Sequence, residues 1–457
     1  MIKKKYLRSG DIKEYAFLNS DEEGDFDFNN IEADAKVRIG FKSYPYRIWQ
    51  LSDRVGAVWL NKEMKVSIVV RPKIANLDAV RMYLCLAENQ SLFNSYQDVF
   101  ECYPEEAAIE GRVFTDVTLL QIAVFLRELS RFCQRDLRQG FVRVRQNLVG
   151  KVKGKILTGD NLRMNTLRAR EDRVVCQFQI LSLDTPANRI LKSALMRCYR
   201  YLNTAANKNY PVLLRWARQC NAALSEVEDV PIHESDFRGI VYSGLMRKYK
   251  TPHRYARMIL KRLRTDASGN VSENQTVPYI LKMNQLFEGY VGVLLAKTGL
   301  DFKKQGANIP LTGTNFNIGF RPDYHAMPQN RDYIVVDAKY KAILEDQVNQ
   351  NKKEELISGI EFPGLKMVMP DAKPSNADVY QVIAYCALLK KHYSKHFNHA
   401  VLAVPVQAIG ENVEEFQNWE AWLQISPTLQ LEGSDIQIYI LPCPVPILKQ
   451  PLNQPDP

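Results

Sequence analysis

The sequence predicts an α/β protein of two or three domains, and three observations support this prediction. The chain has 457 residues, of which 46% are hydrophobic and 25% charged, a composition typical of soluble globular proteins with more than one core. Runs of β-branched and aromatic residues alternate with segments whose apolar residues recur three and four apart, as strands and helices do. Changes in this pattern divide the chain into 1–110, 111–265, 266–441 and a proline-rich tail, 442–457.

Residues 1–110 are predicted to form a mixed, β-rich domain. The segments "YRIWQLSDRVGAVWL" and "KVSIVVRPKI" cluster β-branched and aromatic residues and predict strands. The segments "LDAVRMYLCLAE" and "QDVFECYPEEAA" have helical spacing, and the acidic stretch from Asp21 to Ala35 is predicted to be an exposed loop. No catalytic constellation is recognisable in this part of the sequence.

Residues 111–265 are predicted to be mainly helical. The segment "DVTLLQIAVFLRELSRFCQRDL" indicates an amphipathic helix of about five turns. In "LDTPANRILKSALMRCYRYL", Asp184 or Thr185 can cap a helix that Pro186 opens. The segment "TPHRYARMILKRLR" predicts a basic helix, and the polar stretch from Thr265 to Thr276 predicts a linker or exposed loop.

Positive charge is concentrated in two clusters of this middle region. The chain has a net charge of +10; residues 131–173 contain twelve Lys and Arg against four acids, and residues 241–264 contain eight against none. One such cluster is as often a solvated helix face as a binding surface, but two together favour a polyanion such as double-stranded DNA. The candidate DNA-binding residues are Lys151, Lys153, Lys155, Arg247, Lys248, Arg257, Lys261 and Arg262.

Tyrosines are interleaved with the second basic cluster. The three residues are Tyr242, Tyr249 and Tyr255. Their rings could stack on nucleic-acid bases, although packing is the commoner role of a tyrosine on a helix.

Residues 266–441 are predicted to alternate helices and strands. The helix "YILKMNQLFEGYVGVLLAKTG" precedes the hairpin "FRPDYHAMPQNRDYIVVDAKYK", which is followed by the helix "NADVYQVIAYCALLKK" and the strands "AVLAVPV" and "IQIYIL". This order indicates an α/β core. Cys386 lies in the second helix and is predicted to be a core residue.

The hairpin brings two carboxylates and a lysine together. With a turn centred near Asn330, Asp323 lies opposite Asp337, and directly opposed Cβ atoms are roughly 5 Å apart. Lys339 is two residues beyond Asp337 and projects from the same face. Two carboxylates so close repel each other unless a cation lies between them, and Mg²⁺ suits such a site because it takes one or two carboxylates and keeps several waters. A routine Asp–Lys pair on a surface hairpin is the alternative interpretation.

These residue types suit metal-assisted phosphodiester hydrolysis. Asp323 and Asp337 are the predicted metal ligands, and the carbonyl group of Ala338 is an additional candidate ligand. The ammonium group of Lys339 can position or activate a water molecule and offset negative charge that develops on a phosphate. The predicted cofactor is therefore Mg²⁺, with Mn²⁺ as a substitute.

The motif resembles that of the PD-(D/E)XK nucleases. Pro322-Asp323 followed by Asp337-Ala338-Lys339 resembles the motif itself, which implies a restriction-endonuclease-like core, a mixed central sheet flanked by helices.

Two further elements extend this resemblance. Gln381-Val-Ile-Ala-Tyr385 is similar to the Q-x-x-x-Y element of the RecB-like branch, and on a helix its two polar residues share a face, from which they can reach the site or the DNA backbone. Glu288, in "NQLFEGYVG", stands where such nucleases often offer another metal-directed carboxylate. A solvent-facing helix position is an equal alternative for Glu288.

Segments throughout the chain resemble the McrC family. They are "VRPKI", "NLVGKVKGKI", "LSLDTPANRILKSAL" and "DAKYK", within about residues 65–405. The resemblance implies the nuclease subunit of a type IV restriction system that acts on modified cytosine. It implies a GTP-hydrolysing AAA+ partner of McrB type, which the N-terminal region engages and which reads the methylated site. The chain has no G-x-x-x-x-G-K-[ST] motif, so we expect it to bind no nucleotide itself.

Other functions and sites remain open at this point. The chain could be a self-sufficient restriction or repair nuclease, or a non-catalytic DNA-binding activator that retains the fold. His392, His396 and His399 imitate metal-ligand spacing, but they follow two lysines at a helix end, where cations complement the carbonyl dipole.

We expect a cytoplasmic protein that does not bind a membrane. The eight cysteines form no C-x-x-C pair, which argues against a zinc ribbon or a disulfide framework. No run of 18 apolar residues occurs, and the basic N-terminal stretch lacks the apolar segment of a secretory signal.

Overall fold

The structure is a computed structural model of the chain. The residues that it describes are 12–13, 17–19, 31–40, 42–44, 48–63, 66–74, 76–110, 117–203, 210–263, 275–304, 309–312, 317–328, 332–340, 361–362, 365–367, 375–409, 419–424, 426, 428–430, 433 and 435–447.

The chain divides into two compact units. The first unit comprises residues 1–117 and 276–457, and the second comprises residues 118–275. The N-terminal part and the predicted nuclease part, which the sequence analysis separates, therefore belong to one unit. The bounds of the second unit, 118–275, differ by about ten residues or fewer from those of the predicted middle region, 111–265.

The N-terminal part contains short strands and helices. These are β1 (Ile12–Lys13), β2 (Phe17–Asn19), α1 (Ala33–Ile39), β3 (Lys42–Tyr44), β4 (Ile48–Gln50), β5 (Arg54–Asn61), β6 (Val66–Arg71), α2 (Ala79–Glu88), α3 (Gln90–Phe93), β7 (Phe100–Cys102) and β8 (Ile109–Glu110). The predicted strands and the predicted helix "LDAVRMYLCLAE", which is α2, agree with the structure, but the predicted helix "QDVFECYPEEAA" is wrong. Residues 100–102 have alternating burial as a strand, and Pro104 cannot extend a helix. Of the predicted acidic loop, residues 21–30 lie outside the described residues, and the prediction is wrong for its end, because α1 begins at Ala33 and Ala35 is buried.

The middle part has a helical core and a β-ribbon. Its elements are α4 (Val117–Arg135), β9 (Gly140–Val149), β10 (Lys155–Ile156), α5 (Thr158–Met164), β11 (Arg173–Ser182), α6 (Pro186–Leu202), α7 (Pro211–Ala223), α8 (Glu234–Arg238) and α9 (Lys250–Arg262), with 3-10 turns at Thr166–Arg168 and Gly244–Tyr249. The predicted cap is confirmed, since the Thr185 hydroxyl accepts a hydrogen bond from Asn188 N at 3.2 Å.

The prediction of a mainly helical middle region omitted the ribbon. Strands β9 and β11 pair antiparallel over ten residues, and β10 pairs with β11. The charge of this stretch predicts a binding surface, whereas the alternation of half-buried and exposed residues along β9 is that of a strand. Most of the predicted linker from Thr265 to Thr276 lies outside the described residues.

The C-terminal part begins with a strand. Its elements are β12 (Gln275–Thr276), β13 (Tyr279–Lys282), α10 (Met283–Lys297), β14 (Phe302–Lys304), β15 (Ile309–Thr312), β16 (Asn317–Phe320), β17 (Tyr324–Ala326), β18 (Tyr333–Ala338), β19 (Glu361–Phe362), β20 (Leu365–Met367), α11 (Asn376–Tyr393), β21 (Phe397–Ile409), α12 (Trp419–Gln424), β22 (Thr428–Gln430) and β23 (Gln437–Val445). The helix predicted from Tyr279 starts only at Met283, because the apolar residues before it pair with strands on both sides.

One sheet of the first unit combines strands from both ends of the chain. Its order is β1-β6-β5-β13-β7, so β13 lies between β5 and β7. Both pairings are antiparallel: Tyr279 is opposite Ala57 on one side and opposite Cys102 on the other. The sheet can therefore be completed only after the chain has passed through the second unit.

The second large sheet carries the candidate site. Its order is β14-β17-β18-β21-β20-β19, and β23 also pairs with β21. Strands β14, β17 and β18 are antiparallel, whereas β18, β21 and β23 run parallel. Helix α11 packs on it through buried residues that include Val382, Cys386 and Leu389, which confirms Cys386 as a core residue. The predicted mixed α/β fold is confirmed.

Two further findings concern the chain end and the helices. Strand β23 continues to Val445, so the first residues of the predicted proline-rich tail are part of the sheet, and residues 448–457 lie outside the described residues. Among the described residues, no helix is both long and apolar enough to cross a membrane.

Candidate active site

The hairpin of β17 and β18 has the predicted register. Tyr324 pairs with Val336 and Ala326 with Ile334, so one further step places Asp323 opposite Asp337. An Asp323 carboxylate oxygen accepts a hydrogen bond from the backbone N–H of Ala338 at 2.8 Å. The predicted juxtaposition is confirmed, although the turn around residue 330 lies outside the described residues.

Asp337 ends an apolar strand and remains buried. Its side chain is 3% exposed, and one of its oxygens lies 2.6 Å from Lys339 Nζ. An unpaired carboxylate at this depth would cost several kcal/mol, so the ammonium group is the cation that the strand end requires. The pair is therefore not the surface pair of the alternative interpretation.

Helix α11 fixes the orientation of Lys339. Lys339 Nζ donates a hydrogen bond to Gln381 Oε1 at 2.8 Å, and Gln381 Nε2 donates to Tyr385 Oη at 2.7 Å. An ammonium group only donates, so the carbonyl oxygen of the amide must face it and the amide nitrogen must face the phenol. Burial lowers the pKa of Lys339, but the attraction of Asp337 outweighs burial and the pKa is raised overall. Lys339 is therefore a charged hydrogen-bond donor whose orientation is fixed by Asp337 and Gln381.

Three carboxylates influence one another at this place. Burial raises the pKa of Asp323 well above its usual range, and the negative charges of Glu288 and Asp337 raise it further. Glu288 is not a freely solvated helix residue, because its Oε1 accepts a hydrogen bond from the Tyr96 hydroxyl at 2.7 Å. Tyr96 belongs to the N-terminal part of the chain.

The donor set fits a hard divalent cation. Carboxylate and peptide oxygens are the ligands that Mg²⁺ prefers, and it requires only one or two carboxylates. In the part of the chain that the structure describes, no group of three or more His, Cys, Asp or Glu side chains is arranged to hold a metal. The fit therefore depends on Asp323 and Asp337, whose buried like charges a cation would neutralise.

The histidines near the end of α11 are not brought together as a metal site. His399 lies 3.6 Å from Asp332 and packs edge-on against Tyr439. His392 packs edge-on against Tyr393. This arrangement agrees with the structural role that the sequence favoured.

The two basic clusters differ in their surroundings. Lys151, Lys153 and Lys155 are exposed on the ribbon, and Lys153 Nζ is 4.6 Å from the centre of the Phe178 ring. In the second cluster, two residues form ion pairs, Lys248 with Asp136 and Arg257 with Glu234. Arg262 Nε donates a hydrogen bond to Thr118 Oγ1 at 3.2 Å. The side chains of Arg247 and Lys261 are exposed. The second cluster therefore presents less uncompensated charge than its sequence indicates.

Tyr249 has a packing role. It is buried, and its ring meets that of Phe132 edge-on with 4.5 Å between the ring centres. Its hydroxyl donates a hydrogen bond to Asn188 Oδ1 at 2.9 Å. The buried ring of Tyr249 therefore cannot stack on a nucleic-acid base, and packing, the commoner role of a tyrosine on a helix, is its role here.

Several residues that contact the site or its neighbouring strand were not predicted from the sequence. Tyr96 and Tyr324 are linked by their hydroxyls at 2.8 Å, and Lys73, in "VRPKI", donates a hydrogen bond to the carbonyl of Tyr340. The one local signal was the pair of mid-helix glycines in "EGYVG", Gly289 and Gly292, which indicates close approach of another element.

Comparisons with known proteins show similarity to restriction-system components. The family model described as "McrBC 5-methylcytosine restriction system component" matches residues 50–358. A chain of the half-complex from the tetradecameric assembly of Thermococcus gammatolerans McrB AAA+ hexamers with bound McrC is 16% identical, with a TM-score of 0.35, covering 95% of this chain and 94% of that chain. A chain of the Thermococcus gammatolerans McrBC complex is 14% identical, with a TM-score of 0.29, covering 65% and 89%. No curated protein matches the chain.

Proposed function

Since this chain belongs to the McrBC 5-methylcytosine restriction system component family, we propose that it is the subunit that cuts DNA. The predicted family resemblance is confirmed by that membership. The proposed activity is Mg²⁺-dependent hydrolysis of a phosphodiester bond in double-stranded DNA. The observation that carries it is the buried set in which Asp323 lies opposite Asp337 and Lys339 is held between Asp337 and Gln381.

The fold around this set supports the proposal. The order α10, β14, β17, β18, α11, β21 gives a helix, three antiparallel strands, a second helix and a parallel strand. Strands β15, β16, β19 and β20 lie between these elements in the chain. The PD-(D/E)XK resemblance implies a mixed sheet flanked by helices, and this arrangement supports the proposal. The site lies at the end of β18, next to the N-terminal half of α11.

Each residue has a distinct proposed role. Asp323, Asp337 and the carbonyl of Ala338 would hold Mg²⁺, with Glu288 as a further carboxylate nearby. Bound Mg²⁺ supplies Lewis-acid activation of water and stabilises charge on the phosphate.

Lys339 and its supporting residues act on the reacting groups. Lys339 donates hydrogen bonds to the attacking water or to a phosphate oxygen. Gln381 fixes the direction of that donor, and Tyr385 fixes Gln381. The three side chains thus form one positioning chain.

The proposed partners are DNA and an AAA+ GTPase of McrB type. Family membership supports the GTPase, which would read the modified base and which this chain would stimulate. The exposed lysines of the ribbon support contact with phosphates, which carries no sequence information. A self-sufficient nuclease and a non-catalytic activator are the competing functions.

The test is cleavage of a methylated plasmid by the purified chain, with and without the partner and GTP. We expect cleavage only with both, and none from Asp337→Ala. Asp332→Ala is the matched control, since Asp332 lies just before the same strand but is half exposed, and it should cut normally. Cutting without the partner would favour the self-sufficient nuclease, and wild-type cutting by Asp337→Ala would remove the site assignment.

DNA binding by the chain alone tests the division of labour. Among the residues of the site that the structure describes, none is a base-edge reader such as an Arg or Asn on a groove-entering helix. The isolated chain should therefore bind methylated and unmethylated duplexes within about a factor of three, or about 0.7 kcal/mol. A tenfold preference for methylated DNA in a competition assay would place a reader in this chain.

A further inference from the structure

We propose that Tyr96 is a positioning residue of the nuclease site, and that through it the N-terminal part of the chain becomes a component of the catalytic centre. Its task is to hold the Glu288 carboxylate in the orientation that serves the metal-binding carboxylates. The inference rests on the proposed function and deepens it, because it adds a residue far from the recognised motif.

The hydrogen bonds of Tyr96 lead directly to Glu288. The Tyr96 hydroxyl lies 2.7 Å from Glu288 Oε1 and 2.8 Å from the Tyr324 hydroxyl, and the Tyr324 hydroxyl donates to the Glu288 carbonyl at 3.0 Å. A carboxylate only accepts, so the Tyr96 proton points at Glu288, and the single proton of Tyr324 is shared between the Tyr96 oxygen and the Glu288 carbonyl. Tyr96 and Tyr324 thus hold both the side chain and the backbone of Glu288.

Both phenols remain donors under ordinary conditions. Burial raises the pKa of Tyr96 far above its usual range, and the neighbouring Tyr324 and Glu288 raise it further. Burial likewise raises the pKa of Tyr324. A protonated phenol that donates to a carboxylate forms a charge-assisted hydrogen bond, which is short and strongly directional.

Helix α10 has glycines where these tyrosines approach it. A Cβ atom at Gly292 would lie 2.2 Å from the Tyr324 hydroxyl oxygen, and one at Gly289 would lie 2.7 Å from a methyl carbon of Leu86 and 3.2 Å from the Tyr96 ring. Glycine inside a helix costs roughly 0.5–1 kcal/mol relative to alanine. The two glycines thus allow the close approach at a cost in helix stability, which favours a functional reason for the contact.

The ammonium group of Lys304 lies over the face of the Tyr96 ring. Lys304 Nζ lies 3.2 Å from the ring centre, and Lys304 is directly opposite Tyr324 in the pairing of β14 with β17. Its charge is attracted to Glu288 and Asp323. With a cation on the ring face and a carboxylate on the hydroxyl, Tyr96 is 2% exposed and fixed in direction.

The test compares Tyr96→Phe with Tyr103→Phe in the full-length chain. Both changes remove a phenol hydroxyl of the N-terminal part that donates to a glutamate, since Tyr96 donates to Glu288 and Tyr103 donates to Glu101 at 2.9 Å, but Tyr103 lies outside the site. We expect Tyr96→Phe to weaken Mn²⁺ binding by about tenfold in calorimetry without DNA. Cleavage with partner and GTP should fall at low Mg²⁺ and recover at high Mg²⁺. Tyr103→Phe should match the wild type in both measurements.

A double variant separates positioning from general stability. If Tyr96 acts through Glu288, Tyr96→Phe should add no further loss to Glu288→Gln, whereas independent effects would add. Additive losses, or Mn²⁺ binding by Tyr96→Phe equal to that of Tyr103→Phe, would overturn the inference while leaving the proposed function intact. A wild-type chain that neither binds Mn²⁺ nor cuts would remove the proposed function, and this inference with it.

Discussion

At the scale of single residues, Asp323 and Asp337 have different partners although they lie opposite each other. Asp337 forms an ion pair with Lys339, whereas Asp323 accepts a backbone hydrogen bond from Ala338. Burial together with the charges of Glu288 and Asp337 makes ionised Asp323 unfavourable. Without a metal, Asp323 therefore lowers the stability of the fold at neutral pH.

Replacing Asp323 by asparagine should separate function from stability. Asp323→Asn keeps an oxygen acceptor for Ala338 but removes the buried charge, so in EDTA its thermal midpoint should exceed that of the wild type while cleavage is lost. A carboxyl group whose folded pKa is raised destabilises the fold fully above the folded pKa, and this destabilisation disappears as the pH falls toward the unfolded pKa of about 3.9. The difference between the two midpoints should therefore narrow as the pH falls below 7. A lower midpoint for Asp323→Asn at neutral pH would contradict the proposed repulsion.

The orientation of Lys339 should depend on helix α11. Gln381→Ala removes a hydrogen bond to a charged group, which is worth about 1.5–3 kcal/mol, and should slow single-turnover cleavage by roughly 10–100-fold. Tyr385→Phe acts only through Gln381 and should have a smaller effect. Tyr380→Phe, on the same helix but 68% exposed, is the control. Equal rates for Gln381→Ala and the control would contradict the positioning role.

The sequence predicted the residues of the hairpin but not their support. Asp323, Asp337 and Lys339 are close in the chain, and a turn position and a two-residue period suffice to bring them together. Tyr96 and Glu288 are 192 positions apart, and no local pattern relates them. Long-range hydrogen bonds of this kind become visible only when the fold is known.

At the scale of elements, the helices α4, α6, α9 and α11 were predictable because their apolar residues recur with the helical period. Strand β13 was not, since Tyr279–Leu281 is apolar on both faces and continues directly into α10. An apolar run of this length has no period that distinguishes a strand from a helix start. Its neighbours β5 and β7, both distant in sequence, determine its conformation.

Helix α10 should tolerate no side chain where Tyr324 approaches it. Gly292→Ala would place a Cβ atom 2.2 Å from the Tyr324 hydroxyl oxygen, and overpacking of this kind typically costs 1–3 kcal/mol. Gly159→Ala is the matched control, because Gly159 lies in helix α5 with no atom within 4 Å of an added Cβ. Chemical denaturation should show a loss for Gly292→Ala and a neutral or slightly stabilising effect for Gly159→Ala. A neutral Gly292→Ala would mean that the helix and Tyr324 are not in close contact.

The ribbon should contribute charge and not sequence recognition. Changing Lys151, Lys153 and Lys155 to alanine should weaken DNA binding on all sequences alike and lower the salt-dependence slope by roughly three units. Changing the ion-paired Lys248 and Arg257 together to alanine should alter the salt-dependence slope by less than one unit. Binding measured at several salt concentrations decides this, and an unchanged slope in the triple variant would assign the ribbon lysines to a solvated surface or to the partner interface.

At the scale of the whole molecule, the two units differ in continuity. Residues 118–275 form one uninterrupted unit, whereas the other unit needs both 1–117 and 276–457. Composition and charge predict a middle region at residues 111–265. They could not show that the flanking parts join, because strand pairing across so long an interval leaves no local mark in the sequence.

Excised fragments should reflect this difference. Residues 118–275 should fold alone and unfold cooperatively, since their buried residues contact one another. Residues 276–457 alone lack β5 and β7 on either side of β13, and they also lack Tyr96, so the fragment should be unstable and should not cut DNA. Circular dichroism and thermal unfolding of both fragments check this. A stable, active fragment of residues 276–457 would contradict the joined unit.

The position of β13 between β5 and β7 also affects how the protein emerges from the ribosome. About 180 residues separate β7 from β13, and at about 5–20 residues per second the nascent N-terminal strands wait roughly 10–35 s for β13, the strand that joins β5 to β7. During that interval β5 and β7 expose edges that invite wrong pairing, so we expect the newborn chain to engage chaperones.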